Sequence, residues 1–415
     1  MANTFNLGNG SFAQKTEKLL AYNAENDNYK PLPFDFDRST GATRVNRQGL
    51  IETVGTDKPR IDFLNNTKGH LLLEPFRRNI ADYSEDGTEW DAIQATVSLD
   101  SSINKPDGIA GAYKVTDNTT NGQHRVDVRP TVVNGTQYAF SAFVKQAENS
   151  DVDFMYLLFT SAFTATRVRF NLSNGTAIGS GGTIENYGNG WYRVSATATA
   201  DSDGAGIFGV NLINDDSGAT YAGTGNGAMY VFGMQVEDAG SGIDAEYATS
   251  YIPTQGSAET RSAETCSGAG NSTVLNDSEG VLYGEIAALA NDGTIRNISI
   301  NNGSNSQKTQ IGFTGANNRV SATIKTSSGT SDMIFDVASS LNFNKICVKY
   351  KDSDFALFVN GIKADTDTTI NDTSSSLSEI NFDRGDGLND FYGKVKDLRV
   401  YNTALTDAEL IALTS

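Results

Sequence analysis

Three short stretches between residues 185 and 261 decide the fold. Trp191–Ala196 (Trp-Tyr-Arg-Val-Ser-Ala) follows the dipeptide Asn189-Gly190, Gln235–Glu237 reads Gln-Val-Glu, and Tyr247–Thr254 reads Tyr-Ala-Thr-Ser-Tyr-Ile-Pro-Thr. An Asn-Gly pair before an alternating run is typical of a tight turn that opens a β-strand. We therefore predict a strand that begins at Trp191, and the apolar run before Gln235 predicts a second strand that ends at Glu237.

The residues on either side continue this pattern of strands and tight turns. In Thr166–Leu172, Val168, Phe170 and Leu172 alternate with polar residues, as in a strand with one buried face. The other predicted strands share such apolar runs: Ala92–Val97, Ala110–Val115, His124–Val128, Gln137–Gln146, Phe154–Thr160, Trp191–Ala200, Ile207–Ile213 and Gly227–Glu237. Residues 83–262 therefore predict an antiparallel β-sandwich.

Composition agrees with an all-β protein. The chain has 415 residues, enough for two or three domains, with 41 Gly, 7 Pro, 38% apolar and 20% charged residues. Many Gly, Ser, Thr and Asn residues between short apolar runs are typical of sandwiches and barrels.

The three stretches, together with earlier segments, resemble a class of bacteriophage virion proteins. Gly41–Asn46, Gly49–Val54, Pro59–Phe63 and Leu71–Pro75 precede them in the order that is found in phage tail and fibre proteins. There they stand upstream of a carbohydrate-binding-module-like jelly roll, whose final strand ends in Gln-x-Glu. The resemblance implies that the chain leaves this domain through an exit segment, Tyr247–Thr254. The resemblance covers about 220 residues and implies a structural virion protein.

Residues 263–415 predict a second sandwich. Cys347–Tyr350 and Phe355–Gly361 form a hairpin that turns at Lys351–Asp354, and Phe391–Asn402 leads into Ala404–Leu410. Their patterns Leu-x-Val-Asn-Gly and Phe-x-Gly-x-Val-x-Asp-x-Arg-Val-Tyr-Asn are similar to the concanavalin A-like, laminin-G-like lectin family. Thr406 and Glu409 predict a capping box at the start of a helix.

Residues 1–82 hold apolar residues but little core of their own. We expect a short helix at Phe12–Ala24, then short strands at Pro33–Asp37, Thr43–Val45 and Leu50–Val54. The predicted fold class is thus all-β, with two antiparallel β-sandwich (jelly-roll) domains, 83–262 and 263–415. An extended N-terminal attachment and assembly arm, 1–82, precedes them.

The net charge of −18 makes polyanionic partners unfavourable. Phosphate backbones and anionic membranes repel such a surface, so we expect neither nucleic-acid binding nor membrane insertion. The N-terminus lacks the pattern of a signal peptide, and no run of about 20 apolar residues is present. We expect a virion protein made in the host cytoplasm, with Cys266 and Cys347 as free thiols.

The sequence offers no pattern for catalysis. The strands around Glu285 and Asp397 lack the Glu-x-Asp-x-x-Glu motif of laminarinases, and two histidines, His70 and His124, do not suggest a triad. Both histidines are expected to be half-buried. We predict that the protein is not an enzyme.

Candidate ligand residues are few. Sugar rings stack on aromatic side chains, and Trp90, Tyr221 and Tyr392 are the glycan-binding candidates, whereas Trp191 is expected in the core. Clustered carboxylates could hold Ca²⁺, and the candidates are Asp383, Asp386 and Asp390. We favour solvated polar turns as the explanation of such acidic clusters over a Ca²⁺ site, and we expect no other cofactor.

Together, these observations lead to the hypothesis that the protein is a fibre or decoration subunit of a phage head or tail. The resemblance implies a homotrimer that docks on other virion proteins through the arm and adheres to host-surface glycans. A secreted polysaccharide-active enzyme and a free carbohydrate-binding lectin are the alternatives.

Overall fold

The computed structural model describes residues 2–15, 18–24, 26–29, 33–370 and 376–415. The chain divides into two compact units, neither of which is one continuous stretch. The central unit comprises residues 41–53 and 76–262. The C-terminal unit comprises residues 1–40, 54–75 and 263–415. Both consist almost entirely of antiparallel strands, which confirms the predicted fold class.

The strands, in chain order, have the following bounds. The first group is β1 Phe5–Gly8, β2 Ala13–Lys15, β3 Lys18–Leu20, β4 Asp35–Asp37, β5 Ala42–Val45, β6 Ile51–Val54, β7 Arg60–Asp62, β8 His70–Leu73, β9 Arg77–Asn79, β10 Asp91–Ile93, β11 Ala95–Asn104, β12 Ala110–Asp117 and β13 Asn121–Gly122. The second is β14 His124–Val128, β15 Thr131–Val132, β16 Gln137–Gln146, β17 Phe154–Thr160, β18 Thr166–Asn171, β19 Thr176–Ile178, β20 Gly182–Gly188, β21 Trp191–Thr199, β22 Gly204–Ala205, β23 Ile207–Ile213, β24 Tyr221–Ala222, β25 Ala228–Asp238 and β26 Glu259–Arg261. The third is β27 Thr265–Ser267, β28 Glu279–Ala288, β29 Arg296–Asn301, β30 Lys308–Phe313, β31 Arg319–Lys325, β32 Thr330–Asp336, β33 Asn344–Lys351, β34 Phe355–Val359, β35 Ile362–Asp367, β36 Glu379–Asn381 and β37 Gly393–Tyr401, followed by helix α1 Asp407–Thr414.

The central unit is a sandwich of two sheets. One has the order β10-β14-β23-β17-β18-β19 and the other β11-β12-β25-β16-β21-β20. Phe140 of β16 packs edge-on against Phe159 of β17 and Phe208 of β23, with ring centroids 6.1 and 5.6 Å away. This aromatic cluster joins the two sheets across the core.

The C-terminal unit is also a two-layer structure. Its larger sheet has the order β35-β34-β33-β28-β37-β8-β7, with β1 also paired to β37, and its smaller sheet has the order β32-β31-β30-β29-β36. Leu282, Val348 and Leu398 of the larger sheet share one buried cluster with Ile300 and Ile311 of the smaller. The core therefore lies between the two sheets.

The N-terminal residues do not form the separate arm that we predicted for 1–82. Strand β1 pairs with β37 from Phe5↔Val400 to Gly8↔Asp397, and β8 pairs with the start of β37 from Gly393↔Leu73. Strand β4 pairs with β27. Short apolar strands gain most by adding to a sheet that already exists, and Phe5, Leu7 and Phe34 are thereby buried in the C-terminal core.

The helix predicted over Phe12–Ala24 is also wrong for the residues that the structure describes there. Ala13–Lys15 and Lys18–Leu20 pair as antiparallel strands, while residues 16 and 17 lie outside the described residues. The apolar spacing was too weak to specify a helix. Leu19 is buried in the C-terminal core, which a strand position achieves equally well.

The exit segment after β25 is held by side chains rather than by a ladder. Gln235 Oε1 accepts the Ile252 amide at 2.6 Å, and Glu237 Oε2 accepts the Thr249 amide at 2.9 Å. Asn79 joins both sides, since its Nδ2 donates to the Ile252 carbonyl at 2.8 Å and its Oδ1 accepts the Val236 amide at 3.0 Å. The Gln-Val-Glu and Ala-Thr-Ser-Tyr-Ile stretches thus form one buried structural closure.

A buried ionic cluster ties three parts of the C-terminal unit together. Glu264 Oε1 accepts Arg38 Nη1 at 2.7 Å and Arg60 Nε at 2.8 Å, and its other oxygen contacts Arg60 Nη2. Arg60 Nη2 also lies 2.8 Å from Glu74 Oε2. All four side chains are almost fully buried, and these ion pairs compensate charges that burial has removed from water.

Many local predictions are confirmed. Strands β14, β16, β17 and β23 have the predicted bounds, and the hairpin of β33 and β34 turns between Lys351 and Phe355. Thr406 and Glu409 form the capping box of α1. Cys266 and Cys347 are free thiols, and both are buried. No helix in the described part of the chain has the length and hydropathy that crossing a membrane requires.

Candidate functional site

An open polar cleft of about 460 Å³ lies in the C-terminal unit. Its floor is the face of the larger sheet that points away from the main core. The lining side chains come from three strands, two loops and the end of α1: Asn9, Asn66, Thr67, Lys68, Tyr283, Glu285, Lys345, Lys396, Asp397, Arg399 and Leu413. Apart from Tyr283 and Leu413, all the lining side chains carry an amide, a hydroxyl or a charged group, so the cleft is suited to a hydrogen-bonding ligand.

Strand register brings the central residues together. Glu285 of β28 pairs with Lys345 of β33 on one side and with Asp397 of β37 on the other. Tyr283 pairs with Arg399 in the same way. Directly opposite residues on one sheet face lie close enough to interact. The cleft floor is therefore a grid of charged side chains that spans three strands.

A β-bulge in β37 adds a further charge. The pairing shifts between Glu285↔Asp397 and Ile286↔Val395, which leaves Lys396 as an extra residue. A bulge of this kind re-aims a side chain that would otherwise face the core. Lys396 accordingly lines the cleft beside Asp397, and its Nζ lies 2.5 Å from Glu285 Oε1.

The carboxylates of the floor are both ion-paired. Glu285 holds Lys396, and Asp397 accepts Arg399 Nη2 at 2.5 Å. The Arg399 guanidinium also lies over the Tyr283 ring, 5.5 Å from its centroid. Burial raises the pKa of Asp397, and the Arg399 hydrogen bond opposes that rise. Arg399 is thereby fixed in position by a carboxylate and a ring.

Two lysines at the cleft edges are bound differently. Lys68 Nζ donates to Asn9 Oδ1 at 3.0 Å, and Lys345 Nζ donates to a main-chain oxygen of Ser415, the last residue, which belongs to the α-carboxylate. Within the described ranges, neither forms an ion pair with an Asp or Glu side chain. The lining therefore holds four cationic and two anionic side chains, whereas the chain as a whole has 32 basic and 50 acidic residues.

The predicted aromatic candidates in the central unit are structural. Trp90 is buried, and its Nε1 donates to the Tyr83 carbonyl at 2.8 Å. Tyr221 is buried against His124, with ring centroids 4.5 Å apart, and its hydroxyl donates to Asp117 Oδ2 at 3.0 Å. Neither ring offers a free face for a sugar. Trp191 is buried as predicted, and its Nε1 donates to the Asn104 carbonyl at 2.9 Å.

The remaining candidates lie together in one loop of the C-terminal unit, apart from the cleft lining. Tyr392 donates its hydroxyl to Asp390 at 3.0 Å, Asp386 pairs with Arg384 at 2.9 Å, and Asp383 accepts the Gly385 amide. Burial raises the pKa of Asp383 and of Asp390. In the part of the chain that the structure describes, no three His, Cys, Asp or Glu side chains are placed to hold a metal ion.

The two histidines are more deeply buried than predicted. His70 of β8 packs against Phe343 with ring centroids 5.7 Å apart, and the ring nitrogens of His124 lie 2.6 and 3.2 Å from the carbonyl oxygens of Gln94 and Tyr221. Burial, reinforced by Lys394 and Lys396, lowers the pKa of His70 to about 3. His70 is therefore a neutral core side chain at physiological pH.

The sequence did not predict the cleft residues. Lys396, Asp397 and Arg399 lie in a strand whose alternate residues are apolar, which is the ordinary pattern of a solvent-facing side. One feature of the sequence could have indicated the site: within Lys394–Arg399, the successive charged residues Lys396 and Asp397 interrupt the alternation of polar and apolar residues. Such an interruption indicates a bulge.

No curated protein matches the chain, and the solved structures that are similar to it have low sequence identity. The CBM40 of the Ruminococcus gnavus IT-sialidase bound to alpha2,3 sialyllactose is 19% identical and covers 35% of this chain and 86% of its own, with a TM-score of 0.31. Mouse laminin alpha1 chain domains LG4-5 are 8% identical, covering 69% and 89%, with a TM-score of 0.23. The CBM22-1-CBM22-2 tandem of Paenibacillus barcinonensis Xyn10C is 9% identical, covering 79% and 97%, with a TM-score of 0.26.

A family model matches part of the C-terminal unit. Its description is the Concanavalin A-like lectin/glucanases superfamily, and it matches residues 286–411. The matched span includes Lys345, Lys396, Asp397 and Arg399 of the cleft. The C-terminal sandwich is thus similar to the domains of the concanavalin A-like lectin and glucanase superfamily.

Proposed function

We propose that the protein is a structural subunit of a bacteriophage particle, a fibre or decoration protein, whose C-terminal unit binds glycans in the polar cleft. The observation that carries the glycan part is the coincidence of two features. The span similar to lectins and glucanases is also the span that supplies four of the cleft residues. A cleft of about 460 Å³ lies within the roughly 300–1,000 Å³ range of small-ligand sites.

The geometry favours binding over hydrolysis. Glycosidases need two carboxyl groups of which one is protonated and donates to the leaving oxygen. Glu285 and Asp397 face each other, but each is held by a cation, Lys396 and Arg399. Because each carboxyl group is engaged by its cation and not directed at a ligand, the arrangement supports binding better than general-acid catalysis. We propose that the protein is not an enzyme.

The virion assignment rests on the order of the sequence motifs. The Gln-Val-Glu and exit stretches form a closure whose role is structural, with Asn79, Gln235 and Glu237 buried. The similarity of these two stretches to phage proteins is therefore a similarity of fold, not of a ligand site. We propose a homotrimer that contacts other virion proteins and is made in the host cytoplasm before assembly.

An array of surface polysaccharides and oligosaccharides tests the binding proposal with the intact protein. We expect retention of a subset of glycans, no release of reducing sugar from them, and no change when a chelator is added. Reproducible hydrolysis that is lost in Glu285→Gln or Asp397→Asn would instead identify a polysaccharide-active enzyme. Immunogold electron microscopy of phage particles tests whether the protein is a virion subunit. Labelled particles would support this proposal, whereas unlabelled particles would favour the alternative of a free carbohydrate-binding lectin.

A further inference from the structure

The smaller sheet of the C-terminal unit carries a buried lysine on its outer face, apart from the cleft. Ile311 and Phe313 of β30 lie in the core between the sheets, and side chains alternate along a strand, so Lys308 points away from that core. It is nevertheless only 5% exposed. Lysine is almost never so deeply buried unless it is paired. Among the residues that the structure describes, none forms an ion pair or a hydrogen bond with the Lys308 ammonium.

Strand register places a second lysine beside it. Lys308 lies directly opposite Lys325 of β31, and on its other side it lies opposite Asn301 of β29. Lys325 also lacks an ion pair within the described ranges. Like charges at directly opposite positions destabilise a sheet, whereas opposite charges stabilise it. This pair would therefore gain stability if one of its two members became an anion.

A loop fixes a third cation near this pair. Ser299 of β29 donates its hydroxyl to the Asp383 carbonyl at 2.8 Å. Gly385 approaches Asn301 so closely that a Cβ on Gly385 would lie 2.8 Å from Asn301 Cγ. Arg384, between these two loop residues, is thereby held over the strand that neighbours β30.

The surroundings of Lys308 destabilise its ammonium form. The charged side chains that act on it are Lys325, Arg384, Asp332 and Asp386. Asp386 is already paired with Arg384 at 2.9 Å. Asp332 accepts the Thr323 hydroxyl at 2.6 Å. Burial, reinforced by Arg384 and Lys325, lowers the pKa of Lys308 to about 8. Such a lysine is a nucleophile, because much of it is a neutral amine at slightly alkaline pH.

We propose that Lys308 takes up carbon dioxide reversibly as a carbamate. The neutral Nζ attacks the carbon of carbon dioxide, an N–C bond forms, and one electron pair of a C=O bond moves to its oxygen. The proton that leaves Nζ goes to water, and nothing is oxidised or reduced. The modified side chain ends in a carboxylate opposite Lys325, so a like-charge pair becomes an ion pair. Carbon dioxide is small and uncharged, so it reaches an amine that is almost buried.

Chemical trapping on the intact protein tests this. The protein is equilibrated at slightly alkaline pH with isotopically labelled bicarbonate, which supplies carbon dioxide. Triethyloxonium then converts a carbamate into a stable ethyl carbamate, and mass spectrometry of the peptides locates the label. We expect at least about tenfold more label on Lys308 than on Lys351. Lys351 is the internal control, because its ion pair with Glu279, with 3.2 Å between Nζ and Oε2, favours the ammonium.

Two substitutions at the facing position separate charge from size. Lys325→Gln removes the cation that stabilises the carbamate, so the label on Lys308 should fall by about two- to fivefold. Lys325→Arg keeps the charge and should keep the label. Lower pH should reduce the label as well, since a protonated amine has no electron pair to donate. Cys266 and Cys347, both buried, should stay protected from a thiol reagent in each variant, which shows that the unit is folded.

No label on Lys308 in the folded protein would overturn the proposal, and so would equal label on Lys308 and Lys351. Undiminished label in Lys325→Gln would overturn the role of the facing charge. Glycan binding in the cleft does not depend on any of these outcomes, because Lys308 and Lys325 lie outside its lining.

Discussion

A chain that lacks residues 2–40 should retain a folded central unit and lose the fold of the C-terminal unit. The deletion removes β1 and β4, which pair with β37 and β27. It also removes Phe5, Leu7, Leu19 and Phe34, all fully buried in the C-terminal core. Each such side chain stabilises a fold by about 1.5–3 kcal/mol, and domains are stable by only about 5–15 kcal/mol. The deleted residues all belong to the C-terminal unit, and none belongs to the central unit, 41–53 and 76–262.

The unfolding of each unit can be followed separately with side chains that the chain already contains. Both tryptophans, Trp90 and Trp191, belong to the central unit, and both cysteines, Cys266 and Cys347, to the C-terminal unit. Burial raises the pKa of both thiols, so a thiol reagent labels them only when the unit opens. We expect native tryptophan emission with rapid labelling of both cysteines. Protected thiols in the truncated chain would support an independent N-terminal arm instead.

Glu264→Ala should be the most damaging single substitution in the C-terminal unit. It leaves Arg38 and Arg60 buried, with Glu74 as the one remaining carboxylate of the cluster. Breaking a buried ion pair by removing one partner costs about 3–5 kcal/mol, since the remaining charge is desolvated without compensation. Urea titration followed by thiol labelling should show the loss at the cysteines, while the tryptophan transition keeps its midpoint.

Glu259→Ala is the control for this substitution. Glu259 lies five residues earlier and is exposed. The Glu259→Ala substitution should therefore change the free energy of unfolding of the protein by less than about 0.5 kcal/mol. Glu264→Gln keeps the volume and some hydrogen bonds, and should fall between the two. An equal effect of all three substitutions would show that the buried cluster contributes no specific stability.

The sequence predicted the strands best where they are long and apolar. β16 and β17 have the expected bounds because both faces of each strand are buried. Burial on both faces requires a nearly continuous apolar run, such as Tyr138–Val144, which is easily recognised in the sequence. Of the short N-terminal strands, β4, β5 and β6 were predicted, whereas β1 was not and β2 and β3 were mistaken for a helix. Pairing of Phe5 with Val400 joins residues almost 400 positions apart, and no local pattern specifies so distant a register.

The site was harder to predict than the fold. Trp90 and Tyr221 were candidates because of residue type, yet their hydrogen bonds to Tyr83 and Asp117 place them in the interior. The cleft depends on register, which aligns Lys345, Glu285 and Asp397 across three strands, and on the bulge at Lys396. Charged residues at alternate strand positions are common on solvent-facing sheets, so their convergence was visible only in three dimensions.

Blocking the cleft is the most direct test of the central claim that it binds glycans. Thr67 lies exposed at its edge, and Thr67→Trp places a large ring in the opening without touching the core. Thr330→Trp makes the same change at an exposed position of β32 in the same unit. On the glycan array, we predict that Thr67→Trp abolishes binding while Thr330→Trp retains it, with protected thiols in both. Undiminished binding by Thr67→Trp would contradict the account.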